Sequence, residues 1–325
     1  MNVKYSVFIS NVASCLDRYC KAYGREFSIE EMFDRAKSIP SLEAVDIVLT
    51  EDFRSNLDTV RACLKKTGLK LASVAVDTFA NPIFQHGSLS STDEKVRRKA
   101  IDDAKFAVDF AEEMGCKIVT LWPGQDGYDY MFQADYITER RLFSDAVKEI
   151  CDYNKNIIIT LEYKLKEPRT HSYISTVGST LLMLEDIKCE NAGIALDYGH
   201  AALGYENPAE AVAMCKMYGD RLRHIHINDN YGVWDDDMIV GSVNPLPYIE
   251  FLYWLKKTDY NGYITFDQFP YREDGRDAVA ESAEWMTYLI NLTDAADEAE
   301  VERVLKSRSA VEASKLMRKL LRGKR

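Results

Sequence analysis

Residues 157–164 read Ile-Ile-Ile-Thr-Leu-Glu-Tyr-Lys. The first five form an apolar run without the polar alternation of a half-exposed strand, which is typical of a parallel strand buried on both faces. Glu162 follows this run directly. A carboxylate there is costly to bury unless it is paired or bound to a metal ion. The stretch therefore predicts a buried parallel strand that delivers a chemically useful residue at its end.

The same unit of strand followed by helix recurs along the chain. Strands are expected at residues 4–9, 44–49, 69–76, 117–121, 157–161, 193–196, 221–227 and 263–266. Helices are expected at residues 30–38, 53–66, 91–114, 135–153, 176–187, 208–217, 246–257 and 278–292. A capping box of Ser28 and Glu31 opens the first helix, Ser91 and Glu94 open the third, and Gly68 ends the second. Eight such units predict an α/β protein with a (β/α)₈ TIM barrel. The alternative is an open doubly wound sheet, but no Gly-x-Gly-x-x-Gly follows any strand.

Composition narrows the class of protein. The 325 residues carry a formal net charge of −11, which disfavours nucleic-acid binding because phosphates need a basic surface. No apolar run reaches the roughly 18 residues that span a bilayer, and the apolar part of residues 1–15 is too short and polar for a signal peptide. The seven cysteines form no Cys-x-x-Cys pair, which argues against disulfides or a thiolate zinc site. We therefore expect a cytoplasmic protein with no nucleic-acid or membrane partner.

Residues 1–292 are expected to form the catalytic barrel and residues 293–325 a C-terminal helical extension. The extension begins with acidic residues and ends with basic ones, an order that suits a helix dipole. The basic residues are Lys315, Arg318, Lys319, Arg322, Lys324 and Arg325. We expect a helix that packs on its own barrel or on a neighbouring subunit, and a nucleic-acid or membrane arm is the alternative.

Functional groups of a parallel barrel lie at the carboxyl ends of its strands. Four consecutive predicted strands end in residues that bind metals: Glu162, Asp197, His226 and Asp267. Three oxygen ligands and one imidazole suit Mn²⁺, Mg²⁺ or Co²⁺ better than a structural zinc. His224 shares a strand face with His226 but lies one layer deeper, so we expect it to be a hydrogen-bonded core histidine.

A second acidic cluster follows the seventh predicted strand, where residues 234–237 read Trp-Asp-Asp-Asp. Asp235 and Asp237 could chelate a cation together, with His200 as the third partner. The alternative is an acidic surface loop.

Two further side chains are candidates for contacts with a substrate. Lys164 follows Glu162 by two positions and faces the same side in an extended chain, where it could hold a hydroxyl or carbonyl oxygen. Trp122 ends the fourth predicted strand and could form an aromatic wall against a sugar. A surface lysine and an ordinary rim tryptophan are the alternatives.

Together these motifs resemble the xylose-isomerase-like (β/α)₈ barrel superfamily, which includes sugar isomerases, keto-sugar 3-epimerases and endonuclease IV-type nucleases. Within it, the closest likeness is to L-rhamnose isomerase and its sugar-isomerase relatives. The motifs are Asn-Pro-Ile-Phe-Gln-His-Gly-Ser-Leu at 81–89, Val-Arg-Arg-Lys-Ala-Ile-Asp at 96–102, Leu-Trp-Pro-Gly-Gln-Asp-Gly at 121–127, Leu-Glu-Tyr-Lys at 161–164, Lys-Glu-Pro-Arg at 166–169, Leu-Asp-Tyr-Gly-His at 196–200, His-Ile-Asn-Asp at 226–229 and Asp-Asp-Asp-Met-Ile-Val-Gly at 235–241.

The resemblance implies one or two divalent ions, Mn²⁺ above all. The ligands of a structural, substrate-binding metal would be Glu162, Asp197, His226 and Asp267, and those of a catalytic metal would be His200, Asp235 and Asp237. Lys164 matches the family lysine that holds a substrate oxygen, and Trp122 matches an active-site tryptophan. His86 lies in the loop where these isomerases carry a histidine for ring opening or oxygen binding. The resemblance also implies a homo-oligomer, either a dimer or a tetramer.

The sequence thus predicts a divalent-metal-dependent aldose–ketose isomerase of a free monosaccharide. Hydrogen would pass between C1 and C2 as a hydride, the metal would act as a Lewis acid, and Lys164 would stabilise the oxygen charge. Glu162, His200 and Asp267 complete the predicted catalytic set. The alternative is a keto-sugar 3-epimerase, which needs a carboxylate on each face of the reacting carbon. Other classes are an endonuclease IV-like phosphodiesterase, which the net charge disfavours, and a non-catalytic sugar-binding barrel.

Overall fold

Eight parallel strands form a barrel in the computed structural model, which describes residues 3–16 and 20–322. The strands are β1 (Lys4–Val7), β2 (Ala44–Leu49), β3 (Lys70–Val76), β4 (Ile118–Leu121), β5 (Ile158–Glu162), β6 (Ala192–Asp197), β7 (Leu222–Ile227) and β8 (Tyr263–Phe266). Each strand pairs in parallel with the next from β2 to β8. The predicted TIM barrel is confirmed.

The first and last strands close the barrel. Lys4 to Val7 of β1 pair in register with Tyr263 to Phe266 of β8. On the other side of β1, parallel bridges join Tyr5 to Leu42 and Phe8 to Asp46. All eight strand ends therefore face one rim, where the segments that follow them meet.

Helices surround the barrel. They are α1 (Ile29–Lys37), α2 (Glu51–Ser55), α3 (Leu57–Thr67), α4 (Glu94–Glu113), α5 (Tyr136–Tyr153), α6 (Val177–Ile187), α7 (Tyr198–Leu203), α8 (Pro208–Met217), α9 (Pro245–Lys257), α10 (Gly275–Asp294), α11 (Glu298–Ser307) and α12 (Ala310–Leu321). In the described residues, none of the helices is both long and apolar enough to cross a membrane.

Local capping chemistry explains where several helices begin and end. The capping box of Ser28 and Glu31 is formed as expected, and Gly68 ends α3 in the left-handed conformation with φ of 71°. The expected helix at 53–66 is wrong as one element, because Asn56 interrupts it between α2 and α3. The start at Ser91 is also wrong, because the Asp93 carboxylate accepts from the backbone N–H of Lys95 and caps α4 instead.

A layer of polar side chains lies inside the barrel, where apolar residues are usual. This polar layer consists of fully buried residues from seven strands: Ser6, Asp46, Ser73, Thr120, Thr160, His224 and Thr265. The Thr120 hydroxyl lies 3.1 Å from that of Ser73 and 2.9 Å from that of Thr160. Hydrogen bonds across the barrel therefore replace part of the usual apolar packing.

The C-terminal extension forms two helices rather than the single helix expected. A left-handed Arg308 with φ of 53° and the N-cap Ser309 separate α11 from α12. Leu320 of α12 is buried in the barrel's hydrophobic core, so the extension packs on its own barrel. The basic residues Lys324 and Arg325 lie outside the described part of the chain.

Candidate active site

Four predicted metal ligands converge at the rim. Glu162 ends β5, Asp197 ends β6, His226 lies in β7, and Asp267 directly follows β8. One ligand atom from each lies within 4.8 Å of the others. The His226 Nδ1 lies 3.1 Å from Glu162 Oε1 and 3.8 Å from Asp267 Oδ2. The strand order that the sequence predicted is what brings these four side chains together.

The donor set fits a divalent cation. The Nε2 of the buried His226 lacks a hydrogen-bond partner in the described structure, although unpaired buried polar atoms are rare in folded proteins, and its Nδ1 faces only the carboxylates of the cluster. Glu162 and Asp197 are buried beside it. Oxygen ligands with one imidazole suit Mn²⁺, Mg²⁺ or Co²⁺.

Burial and mutual repulsion of the carboxylates reinforce this fit. Burial raises the pKa of Asp267 to about 8, with Glu162 and Asp197 adding to the effect. Burial also raises the pKa of Asp197. Burial alone would lower the pKa of His226, but Glu162 and Asp267 outweigh it and raise that pKa to about 10. A cation in this position would relieve the repulsion that otherwise favours protonated carboxyl groups.

His200 and Asp235 of the second predicted cluster are in contact. The His200 Nε2 lies 3.1 Å from Asp235 Oδ2, and its Nδ1 lies 3.0 Å from the backbone oxygen of Tyr163. A ring nitrogen held by a backbone carbonyl is the usual arrangement that orients a metal-binding histidine. Burial would lower the pKa of His200, but Asp197 and Asp235 raise it to about 9.

The second cluster is less convergent than the first. Asp237 follows Asp235 by two positions, and burial together with the charge of Asp235 raises the pKa of Asp237 well above its usual value. His200, Asp235 and Asp237 nevertheless form no group within 4.8 Å in the described residues. The Lys164 ammonium lies 2.8 Å from Asp235 Oδ2 and forms an ion pair with that carboxylate. The same oxygen would otherwise be available to a cation.

Lys164 brings a buried ammonium group to the site. Its Nζ lies 2.8 Å from both Asp235 Oδ2 and Glu167 Oε2, and the side chain is buried. Burial would lower its pKa, but Asp235 and Asp237 raise it. The ammonium also lies 5.2 Å from the ring centroid of Trp122, so the predicted lysine and aromatic wall are neighbours.

The structure does not bring His86 into this cluster. Its side chain is exposed in the loop after β3. Phe79, from the same loop, is instead the residue that contacts Trp122, with ring centroids 4.6 Å apart.

Sequence reasoning missed the residues that fix the ligands from behind. The Asn228 amide donates to both oxygens of Asp197 at 3.3 and 3.2 Å. The chain at Gly199 approaches this amide so closely that a Cβ there would lie 1.9 Å from Asn228 Oδ1. Glycine at 199 therefore allows the turn between Asp197 and His200. The signal for Asn228 was its place two residues after His226 on the same strand face.

The buried Asp126 ties the loop after β3 to the loop after β4. It accepts from the backbone N–H of Ser88 at 2.9 Å and of Ser90 at 2.7 Å, and from both serine hydroxyls. Arg169 adds the loop after β5, because its guanidinium donates to the backbone oxygens of Gln85 and Gln125. Three loops thus form one hydrogen-bonded cap beside the site.

Comparisons with known proteins give matches over most of the chain. A family model described as "Xylose isomerase-like TIM barrel" matches residues 9–289. A xylose isomerase of Thermus thermophilus is 29% identical over 279 residues, which cover 83% of this chain and 68% of that enzyme.

Two solved structures match nearly their whole length. The structure of a D-tagatose 3-epimerase-like protein matches with a TM-score of 0.68 and 24% identity, covering 90% of this chain and 98% of the other. A D-allulose 3-epimerase from Methylomonas sp. matches with a TM-score of 0.68 and 19% identity, covering 88% and 96%. At these identities the two structures establish likeness of fold. The particular likeness to L-rhamnose isomerase stays a prediction.

Proposed function

Because this chain belongs to the xylose isomerase-like TIM barrel family, we propose that it interconverts free sugars with a divalent cation held by Glu162, Asp197, His226 and Asp267. One observation carries the proposal: ligand atoms of these four residues lie within 4.8 Å of one another at the carboxyl ends of four successive strands. Such a cation supplies Lewis-acid stabilisation of negative charge on the sugar oxygens. Mn²⁺ is our choice among the hard divalent ions.

The comparisons back epimerisation at C3 of a ketose better than isomerisation between C1 and C2, because the solved relatives are named as 3-epimerases. We assign the two carboxylates of this reaction to Glu162 and Asp267, whose oxygens lie 3.1 and 3.8 Å from His226 Nδ1. One carboxylate would remove the C3 proton and the other would return a proton to the opposite face. Lys164 would donate a hydrogen bond to the oxygen on which charge develops.

Aldose–ketose isomerisation is the second candidate, and the second cluster favours it. His200, Asp235 and the buried Lys164 lie together beside the first ligand group. A reaction in which charge develops on two adjacent oxygens would use these additional polar groups. The xylose isomerase of Thermus thermophilus is the curated relative on this side. In this reaction a hydride moves between C2 and C1, and Lys164 stabilises the oxygen charge.

The remaining features belong to the same proposal. Trp122 and Phe79 would form the apolar wall against the sugar ring. The chain would act in the cytoplasm as a homo-oligomer, and the buried thiols of Cys63, Cys116 and Cys215 are in keeping with a reducing compartment.

The test incubates the Mn²⁺-loaded protein in D₂O with a panel of free ketoses and aldoses. Ketose-to-ketose conversion with deuterium at C3 would support epimerisation. Aldose–ketose conversion with retention of substrate hydrogen would support the isomerase instead. Glu162→Gln should abolish either activity, whereas Glu273→Gln, an exposed carboxylate in the loop after β8, should leave it intact. A protein that binds no divalent ion and converts no sugar would contradict the proposal.

A further inference from the structure

The polar layer contacts the proposed metal centre where His224 packs against His226. His224 precedes His226 by two positions on β7, so both side chains point into the barrel. The His224 Nε2 lies 2.6 Å from Asp46 Oδ2, on the opposite side of the barrel, and 3.1 Å from Thr265 Oγ1. Asp46 also accepts from the hydroxyls of Ser6 and Thr265. The His224 ring is therefore held by a fully buried network that ends at a carboxylate.

Polar contacts hold only one edge of the His226 ring. Its Nδ1 lies 3.1 Å from Glu162 and 3.8 Å from Asp267, the carboxylates of the proposed metal site. Its Nε2 has no hydrogen-bond partner in the described residues, although a metal-binding imidazole usually donates its other N–H to a carboxylate or carbonyl. Two rings contact it instead. The Phe8 ring lies 4.9 Å away at 70°, and the His224 ring lies 5.0 Å away at 90°. These two rings are therefore the packing contacts that can hold the plane of His226.

We propose that Asp46 and His224 are positioning residues that fix the ring of His226, so that its Nδ1 faces Glu162 and Asp267. The proposal rests on the proposed metal centre. Asp46 holds His224 by a buried hydrogen bond, and the edge of His224 holds the plane of His226. If the His224 ring could turn freely, the His226 ring could turn with it. The four ligand atoms would then no longer point to one position. The pair acts through His226 and touches no substrate.

The test compares the dissociation constant of Mn²⁺, measured by titration calorimetry, in three variants. Asp46→Asn removes the charge that holds His224, and Thr265→Val removes a hydroxyl bonded to both members of the pair. Thr160→Val is the matched control, because it removes an equally buried hydroxyl of the polar layer that bonds to Thr120 instead. The absorption spectrum of the Co²⁺-loaded protein reports the ligand geometry independently of activity.

Loss of a group that hydrogen-bonds a metal-binding histidine weakens metal affinity by about 10- to 100-fold. Asp46 acts on His226 only through the ring of His224, so we expect Asp46→Asn to weaken binding by about 10-fold, the lower end of this range. Thr265→Val should weaken binding by a smaller factor and alter the Co²⁺ spectrum. Thr160→Val should lower the melting temperature while leaving the dissociation constant and the spectrum unchanged.

The outcomes separate this inference from the proposed function. Wild-type protein that binds no Mn²⁺ would contradict the proposed function and this inference with it. Wild-type binding that stays equally tight in Thr265→Val and in the folded Asp46→Asn protein would overturn the positioning role alone. Thr265→Val keeps the test decisive if Asp46→Asn does not fold, because a buried hydroxyl is a smaller loss than a buried charge.

Discussion

Asp267 is expected to destabilise the protein whenever no cation is bound. Burial, Glu162 and Asp197 raise its pKa to about 8 from an ordinary 3.8. At about 1.36 kcal/mol per pKa unit, a carboxyl group with these two values costs about 4 kcal/mol of folding free energy at pH 7. The side chain is 17% exposed, so solvent screens part of this cost. We therefore expect Asp267→Asn to recover about 1–3 kcal/mol.

The change in melting temperature follows from chain length. An unfolding entropy of about 2.1 cal/mol/K per residue gives about 0.7 kcal/mol/K for the 325 residues. In EDTA at pH 7.5, Asp267→Asn should therefore melt about 1.5–4 °C above the wild type. In Mn²⁺ the order should reverse, because the neutral amide is a weaker ligand than the carboxylate.

The pH dependence provides a second check. A folded-state pKa above the unfolded value means that the folded wild type binds more protons between pH 4 and pH 8. The wild type without metal should therefore lose stability as pH rises through this window, and Asp267→Asn should lose less. Differential scanning calorimetry at several pH values measures both effects, with Glu273→Gln as the control. Equal melting temperatures of Asp267→Asn and wild type in EDTA at every pH would refute the reasoning.

Three further predictions concern the cation, the ammonium and the cap. Mn²⁺ at 100 times its dissociation constant should raise the free energy of unfolding by about 2.7 kcal/mol, or about 4 °C, and an unchanged melting temperature would contradict the metal site. Lys164→Met should lower kcat/KM by about 10²-fold or more, as for loss of a donor to a developing oxyanion. Lys166→Met, which removes an ammonium 6.0 Å from the Trp234 ring, should have little effect. If both variants lowered kcat/KM equally, Lys164 would not be the residue that stabilises the oxygen charge. Asp126→Asn should speed hydrogen exchange at the amides of Ser88 and Ser90, which donate to its carboxylate, and unchanged exchange would show that other contacts hold the cap.

The barrel and its four principal ligands could be predicted because local pattern and global topology agree in this chain. A buried strand such as β5 is apolar apart from Thr160, so a charged residue at its end stands out. The strand order of a parallel barrel then brings Glu162, Asp197, His226 and Asp267 to one rim without any knowledge of side-chain geometry.

Residues whose role depends on contacts far away in the chain could not be predicted in the same way. Asp46 lies 178 positions from His224, and only closure of the barrel joins them. Its signal was a single acidic residue within the apolar strand Ala-Val-Asp-Ile-Val-Leu. Asp126 resembles an ordinary loop carboxylate until the loop with Ser88 folds over it. The break at Asn56 was missed because the apolar periodicity continues across it.

Helix boundaries depended on competition between nearby caps. Asp93 and Ser91 can both accept from backbone N–H groups at a helix start, and the side chain of Asp93 is the one that bonds to Lys95 N. Arg308 adopts a left-handed conformation although it is not glycine. Because no glycine marks this position, the end of α11 could not be predicted from the sequence.

Closure of the barrel by its first and last strands also fixes when the protein can mature during synthesis. β1 leaves the ribosome first, yet its partner β8 is complete only after residue 266 has been made. Until then the nascent chain carries an unpaired parallel edge, which favours association with other chains. Asp267 follows β8 immediately, so the fourth ligand arrives together with the closing strand. The complete set of four ligands therefore exists only after the closing strand has been made.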